Sequence, residues 1–538
     1  MKSNRFLLSL ALGLGLTLSL LWLLGAWTPG LHAARAASLT VCPMGPPFCG
    51  HSSIQDAVNA ALDGDVIRVA QGAYTETVVI TKSVTLEGGW NDDFSVWDRE
   101  AYVTTIDAQS NGPVIRVEGA VSPTIEGFVI TGGDDTDGLG RGGGIQITNT
   151  GLTTIRYNVI TDNVACTTST CQGQGGGIYA YSATVLIRYN AIISNAAHAG
   201  RDGSGDGGGV YVGGSADATL IGNDILSNTA TLTGSGRGGG VYAGGVGDFT
   251  DNLMRGNVAS ANGDGSGGGV YAAQLQNAQR NTIVENRASR GGGLHLGPDS
   301  DTELRDNLIA RNQATGTGIA ETDGGGGITS EDNTAQIVGN EIASNTAVYA
   351  GGGLLLTGGS AYQIQKNTFK ENTAAFGGGV FVRSSSGLIA SNEIRSNNAT
   401  TRGGGLYLYN NAAPALDANR ILSNTATAGE GGGVCIRHNH VPVTLTNHII
   451  AHNSAARDGG GIFLSSSSNV NLINNTLVDN DREDGHEGVA LLESHQISMT
   501  NNLIVGHSVA ITASEDSTAT LDYNGYYDNV TATVGVSW

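Results

Sequence analysis

Three groups of residues have the types and spacing to do chemistry. The densest is DNDREDGHEG over 479–488, where Asp484, His486 and Glu487 stand almost side by side. Paired acids beside an imidazole are the components of acid–base catalysis, and His438, His440, His448, His452 and Arg457-Asp458 lie shortly upstream. The plainer account of the same residues is a charged turn facing water. The second group is the pair of loops RDGSGDG (201–207) and NGDGSG (262–267), which supply Asp202, Asp206, Asn262 and Asp264. Oxygen-bearing side chains alternating with glycine can wrap Ca²⁺, although no terminal acid or fixed spacing completes such a loop, and flexible turns account for it as well. Otherwise the chain is expected to carry no cofactor. The third group is aromatic. Tyr179, Tyr211, Tyr242, Tyr271, Phe381, Tyr407 and Phe463 each stand second after a run of three glycines.

That phase belongs to a repeat. Triplets begin at 351, 377 and 403, a step of 26, and NTFKEN, NEIRSN and NRILSN (367–372, 392–397, 419–424) recur between and after them. Further triplets stand at 142, 175, 207, 238, 267, 291, 325, 431 and 459, and GFVITGG (127–133) reads as an early, degenerate copy. The residue after each triplet is Ile, Val or Leu, and the third residue after it is mostly apolar, which is the period of two of a β-strand. The intervening column then points outward: Gln146, Tyr179, Tyr211, Tyr242, Tyr271, His295, Thr329, Leu355, Phe381, Tyr407, Cys435 and Phe463. On an open sheet with coils about 4.8 Å apart, the four tyrosines from 179 to 271 would make a strip on the order of 15 Å, long enough to stack a few sugar rings. The alternative is that these rings only brace neighbouring strands.

Apolar columns flanking the asparagines add two more short strands per repeat. Asn158, Asn190, Asn223, Asn252, Asn281, Asn307, Asn340, Asn367, Asn392 and Asn419 mark the corner between them. Asparagine tolerates left-handed backbone angles, and stacked amides hydrogen-bond along a ladder. Three short strands joined by glycine and asparagine corners make one coil of a parallel β-helix, so the fold class is all-β, a single-stranded right-handed parallel solenoid. Insertions between the second asparagine and the next triplet gather on one edge, where a solenoid often binds.

The stretch SIQDAVNAALDGDVIRVAQGAY (53–74) predicts a short helix with Ile54, Val58 and Leu62 on one face, then a turn and an alternating strand. A helix laid over the first coil would shield an open sheet edge. This run, with the following TL-x-G, resembles the capped first coils of the pectin-lyase-like right-handed β-helix superfamily. Phe369-Lys370-Glu371-Asn372 followed by Gly378-Gly379-Val380 is also similar to the repeats of chlamydial polymorphic outer-membrane proteins, with a third Gly for Ala and mostly Ile for Phe elsewhere. Resemblance to polysaccharide lyases would imply a carboxylate cluster holding Ca²⁺ and a nearby basic residue, and the outward fourth column, which includes Glu331, Arg383 and Arg437, lacks such a cluster of acids. Resemblance to polygalacturonases would imply four short motifs, of which Asp134-Asp135 and Gly485-His486 are fragments.

Lys2 and Arg5 precede an apolar run to Trp27, and Ala34-Arg35-Ala36 offers a small-x-small cleavage site, so 1–36 reads as a signal peptide, with an uncleaved anchor as the alternative. Residues 37–110 form the cap and first coils, and 111–538 the repeats. The expected location is secreted or cell-surface. Cys42 with Cys49 and Cys166 with Cys171 suit local disulfides there, leaving Cys435 as a strand filler. A formal charge of −21, with only 27 Lys and Arg, argues against a nucleic-acid partner, and no membrane contact is expected beyond the signal segment. The foremost reading is a non-catalytic β-helix that offers an aromatic face to a polysaccharide or cell-surface molecule. A polysaccharide lyase or glycoside hydrolase is the alternative, and an envelope spacer the third.

Overall fold

The computed structural model describes residues 37–317, 323–359, 361–480 and 487–535. They form a parallel β-solenoid of about 16 turns with three parallel sheets. One coil shows the plan. Val210–Gly213 and Asp217–Ile221 lie in the first sheet, Asp224–Leu226 in the second and Thr229–Thr231 in the third. Each strand pairs with its counterpart one coil away, as in Val210↔Val241, Ile225↔Met254 and Thr229↔Val258. Within Val241–Thr250 and Val270–Gln279 the two strands of the first sheet run together through a bend.

The inward columns stack as the period requires. Ile178, Val210, Val241, Val270 and Leu294 are each fully buried, and so are Val212, Leu296 and Leu464 two places on. They belong to one continuous apolar core running the length of the solenoid. Burial of a side chain of this size is worth roughly 1.5–3 kcal/mol, so the core dominates stability.

Two ladders of asparagine close the corners on either side of the second sheet. Asn340 Nδ2 donates to Asn367 Oδ1 at 3.0 Å and to the Leu304 carbonyl, and Asn345 Nδ2 does the same with Asn372 Oδ1 and Ile309. A buried amide left unpaired would cost about 1–3 kcal/mol, so each rung fixes the register of its neighbours. Two histidines replace asparagine near the C-terminal end. Asn419 N donates to His448 Nδ1 at 2.9 Å, and Asn480 N to His507 Nε2 at 3.2 Å.

Glycine triplets are needed for two separate reasons. Gly207 turns the chain at φ +65, a conformation that a side chain disfavours. Gly208 lies flat against the third sheet, where a Cβ would meet the Thr229 backbone.

The cap is the helix Ile54–Ala60, the one helix among the described residues. Glu76 accepts from the Ile54 and Gln55 amides at 2.8 and 2.9 Å, while Lys82 donates to the Val58, Asn59 and Ala61 carbonyls. Opposite charges thus meet the two ends of the helix dipole. Leu62 does not join Ile54 and Val58: Ala61 leaves helical angles, takes the buried place itself, and Leu62 is 72% exposed. GFVITGG is likewise out of phase with the triplets. Its strand Phe128–Thr131 pairs with Val159–Thr161 in the second sheet, so its last two glycines stand at an asparagine corner. Disulfides join Cys42 to Cys49 and Cys166 to Cys171. Among the described residues no helix is long and apolar enough to cross a membrane.

Candidate functional site

The insertions build a rim over the outward face of the first sheet. After Ala196–His198 the chain runs outward and returns along Gly205–Asp206, which pairs with Gly173–Gln174 and Gly236–Arg237; Gly265–Ser266 completes a four-stranded strip. The first glycine of the triplet then reverses the chain. As a result the residue before a triplet lies beside the outward side chain that follows it. Gln146 Nε2 donates to the Arg141 carbonyl at 3.1 Å, and Thr329 Oγ1 to the Gly324 carbonyl at 2.9 Å.

The aromatic column therefore faces away from the core but does not lie on an open sheet. Tyr179 and Tyr211 are 1% and 8% exposed, and only Tyr242 and Tyr271 are half-buried. Phe381, Tyr407 and Phe463 are buried with Leu355 and Cys435 in a second, smaller apolar cluster. Nor are the ring faces free. Tyr179, Tyr211, Tyr242, Tyr271 and His295 stack in series with centroids 5.2, 4.8, 5.5 and 5.0 Å apart. Each ring uses its faces on its neighbours, so this column offers edges and hydroxyls to the groove. Burial raises the pKa of the Tyr179, Tyr211 and Tyr242 hydroxyls, which stay protonated.

A charged cluster stands where the tyrosines end. Asp206, 2% exposed, holds Arg237 through bonds of 2.9 and 2.7 Å, and Arg237 in turn lies 5.0 and 5.5 Å over Tyr242 and Tyr271. His295 Nε2 is 3.7 Å from Glu331 Oε2, and Arg290 reaches within 4.0 Å of both Glu331 and Asp323. Burial, then the Arg290 charge, pushes His295 down to about 3, while burial raises Glu331. The close pair is thus a neutral imidazole beside a carboxyl that resists ionisation, not a salt bridge. His295 Nδ1 and Glu331 Oε1 are buried without a hydrogen-bond partner among the described residues. A cavity of about 260 Å³ opens onto Arg237, Asp264, Tyr271, Arg290, His295 and Glu331.

Farther along, a hollow of about 120 Å³ is walled by Tyr349, Phe376, Tyr409, Arg402, Arg437 and His438. Arg402 pairs with Glu430 at 2.9 Å. Arg437 has no ion pair among the described residues, and its Nε is buried without a hydrogen-bond partner.

Among the described residues, most of the other chemistry-bearing side chains take structural roles or face solvent. Asp484 and His486 fall outside the described residues; Glu487 opens the strand Glu487–Leu492 and accepts from the Gly459 amide at 3.4 Å. His448, read as a neighbour of that acidic loop, is 1% exposed within an asparagine ladder. Of the Ca²⁺ candidates, Asp206 is engaged by Arg237, while Asp202, Asn262 and Asp264 are exposed and only Asp264 touches the groove. No three His, Cys, Asp or Glu among the described residues converge to hold a metal. Asp135 caps its own loop by accepting from the Leu139 and Arg141 amides at 3.2 and 2.8 Å. Cys435 sits in register between Tyr407 and Phe463, and burial pushes its thiol pKa up. Sequence reasoning missed Arg237, Arg290, His295, Glu331 and Arg437 as a set. The signal was present in part, as a polar break in the aromatic column at His295 after four tyrosines, with Glu331 two residues beyond its partner Thr329 in the next coil.

The fold and groove define a parallel β-solenoid protein with a rimmed outer cleft. The chain belongs to the family described as the right handed beta helix region, whose model matches residues 203–369 and 352–525, more than half of its length. Among solved structures it is similar to DFA-IIIase from Arthrobacter chlorophenolicus A6, at 13% identity over 72% of this chain and 94% of the other, with a TM-score of 0.33. It is also similar to the A-module of the Azotobacter vinelandii mannuronan C-5 epimerase AlgE6 (12%, 90% and 92%, TM-score 0.27). PfbA, a surface adhesin of Streptococcus pneumoniae, aligns at 11% identity over 90% and 87% with a TM-score of 0.18. No curated protein matches the sequence.

Proposed function

We propose that this protein is an exported β-helix that binds a carboxylate-bearing glycan along the groove between the rim and the first sheet. The observation that carries the reading is Arg437. In a chain of formal charge −21, a guanidinium with a buried, unpartnered Nε lies among aromatic side chains, with Arg402 and His438 beside it. An uncompensated buried donor is costly, and a sugar carboxylate supplies the charge-assisted acceptor it lacks. Thr329, Leu355, Phe381 and Tyr407 are buried between the cavity at His295 and the hollow at Arg437, so contact is concentrated at those two openings. They lie five successive pairings or roughly 24 Å apart at 4.8 Å per coil, a span of several sugar residues. In the 260 Å³ cavity the Tyr271 edge, Arg237 and Arg290 supply further hydrogen bonds. Two disulfides support an exported setting.

Calorimetric titration with hexagalacturonate tests this. Binding should weaken about tenfold in Arg437→Ala, the worth of one charge-assisted bond, and weaken with added salt. Absence of binding to uronate oligomers, or unchanged affinity in both Arg437→Ala and Arg290→Ala, overturns the reading.

A second reading, acid–base chemistry on the bound chain, is favoured by the neutral His295 next to Glu331 in the 260 Å³ cavity. It requires that incubation yields new reducing or unsaturated ends, and that His295→Ala stops their release.

A further inference from the structure

A larger cavity, about 530 Å³, lies on another corner of the solenoid, beside the first asparagine ladder. Its wall is a pair of tyrosines. Tyr157 and Tyr189 stand immediately before Asn158 and Asn190, both at positive φ, and stack with centroids 5.5 Å apart and planes 10° from parallel. Its floor is the outward column of the second sheet, Val129, Val159 and Ala191 in register. Its far side is the 91–103 loop, anchored where Trp97 Nε1 donates to the Gly88 carbonyl at 2.8 Å and the Asp98 amide to Gly89 at 2.8 Å. That loop places the Arg99 guanidinium 4.7 Å over the Tyr157 ring.

The tyrosine pair ends abruptly. At the next coil the equivalent position is Gly222, where a Cβ would stand 2.7 Å from two ring carbons of Tyr189. With no side chain there, the Tyr189 ring lies over Gly222 and stays 48% exposed, beside Val103 and Val159 at 48% and 37%. Large apolar groups converging on one cavity are unusual for a surface with no ligand. Polar groups flank them: Arg99, a donor only, and the exposed carboxylates Glu100 and Asp224, acceptors only.

We propose that this cavity is a second binding site, independent of the groove, and that it takes a neutral saccharide. A pyranose has an apolar C–H face that fits the tyrosine and valine surface, and a rim of hydroxyls that both donate and accept, which suits Arg99 opposite two carboxylates. An anionic sugar would meet two negative charges against one positive. The volume lies within the roughly 300–1,000 Å³ usual for small-ligand sites.

Saturation-transfer NMR on the full chain with maltotriose, cellotriose and xylotriose, and with trigalacturonate for comparison, tests the site. Transfer to at least one neutral trisaccharide is expected. It should fall about fivefold or more in Tyr189→Ala and in Arg99→Ala, as loss of one ring contact predicts, and persist in the groove variant Arg437→Ala. Arg99 lies on a surface loop, so its variant decides the matter should Tyr189→Ala melt non-cooperatively. No transfer to any neutral sugar overturns the proposal, as does transfer indifferent to both Tyr189 and Arg99. Tyr189-dependent transfer to trigalacturonate alone would overturn the neutral class. Because the groove is read out by Arg437, either site can fail without the other.

Discussion

His448 shows how one substitution in a ladder becomes a pH dependence. Its Nδ1 accepts from the Asn419 amide at 2.9 Å, its Nε2 is buried without a hydrogen-bond partner among the described residues, and burial holds its pKa at about 4 against 6.5 unperturbed. Since the folded value is the lower one, the unfolded chain binds more protons between those two pH values. Stability is therefore complete above pH 6.5 and is lost as the pH falls toward 4, by about 1.4 kcal/mol per pH unit for one such histidine. His507, also lowered by burial, adds to the same slope. Denaturant melts at pH 7 and pH 5 should show the loss, and His448→Asn, which restores the amide of the other rungs, should reduce the difference. An unchanged slope would mean that the ladder tolerates the charged ring. Neither histidine could be placed from local sequence alone, because only their phase with asparagines one coil away marks them as rungs.

At the scale of the element, the glycine triplet does two jobs that a single substitution can separate from simple loss of flexibility. A Cβ on Gly352 would fall against the Gly378 carbonyl oxygen and 2.7 Å from the Thr373 carbonyl carbon, with backbone on both sides and nothing soft to move. Gly352→Ala should cost on the order of 2–4 kcal/mol, read as a drop in the denaturation midpoint. Gly247 is the control: its Cβ would find nothing nearer than Asp217 Oδ1 at 3.7 Å, so Gly247→Ala should stay within about 0.5 kcal/mol of the parent. Equal effects at the two sites would remove close approach as the reason for the triplets. The inward columns were legible at this scale, since a period of two after every triplet fixes which side chains enter the core. Leu62 was not, because its neighbour Ala61 fits the buried place once the helix stops at Ala60.

The whole molecule is a stack in which each coil touches mainly the coils above and below, so stability is close to a sum over neighbours. Removing residues 377–402, one full step between triplets, should rejoin like columns and leave a cooperative β-sheet melt by circular dichroism. Removing half that step should put polar residues into the core and abolish the melt. Survival of both deletions would show that register is not set by the core and the ladders.

The sequence alone determined the winding: glycine triplets recurring in phase with inward apolar columns and asparagine corners admit one arrangement, because every alternative register buries polar side chains or breaks amide ladders. It did not determine what the outward column faces. Tyr179, Tyr211, Phe381 and Tyr407 alternate with core residues as an open sheet face would, yet they are covered, because insertions of unequal length leave the third sheet and return over them. The groove and the Tyr189 cavity were likewise decided by tertiary structure. Each combines side chains from several coils with a loop outside the repeat, and burial there is a sum over neighbours that no local spacing encodes.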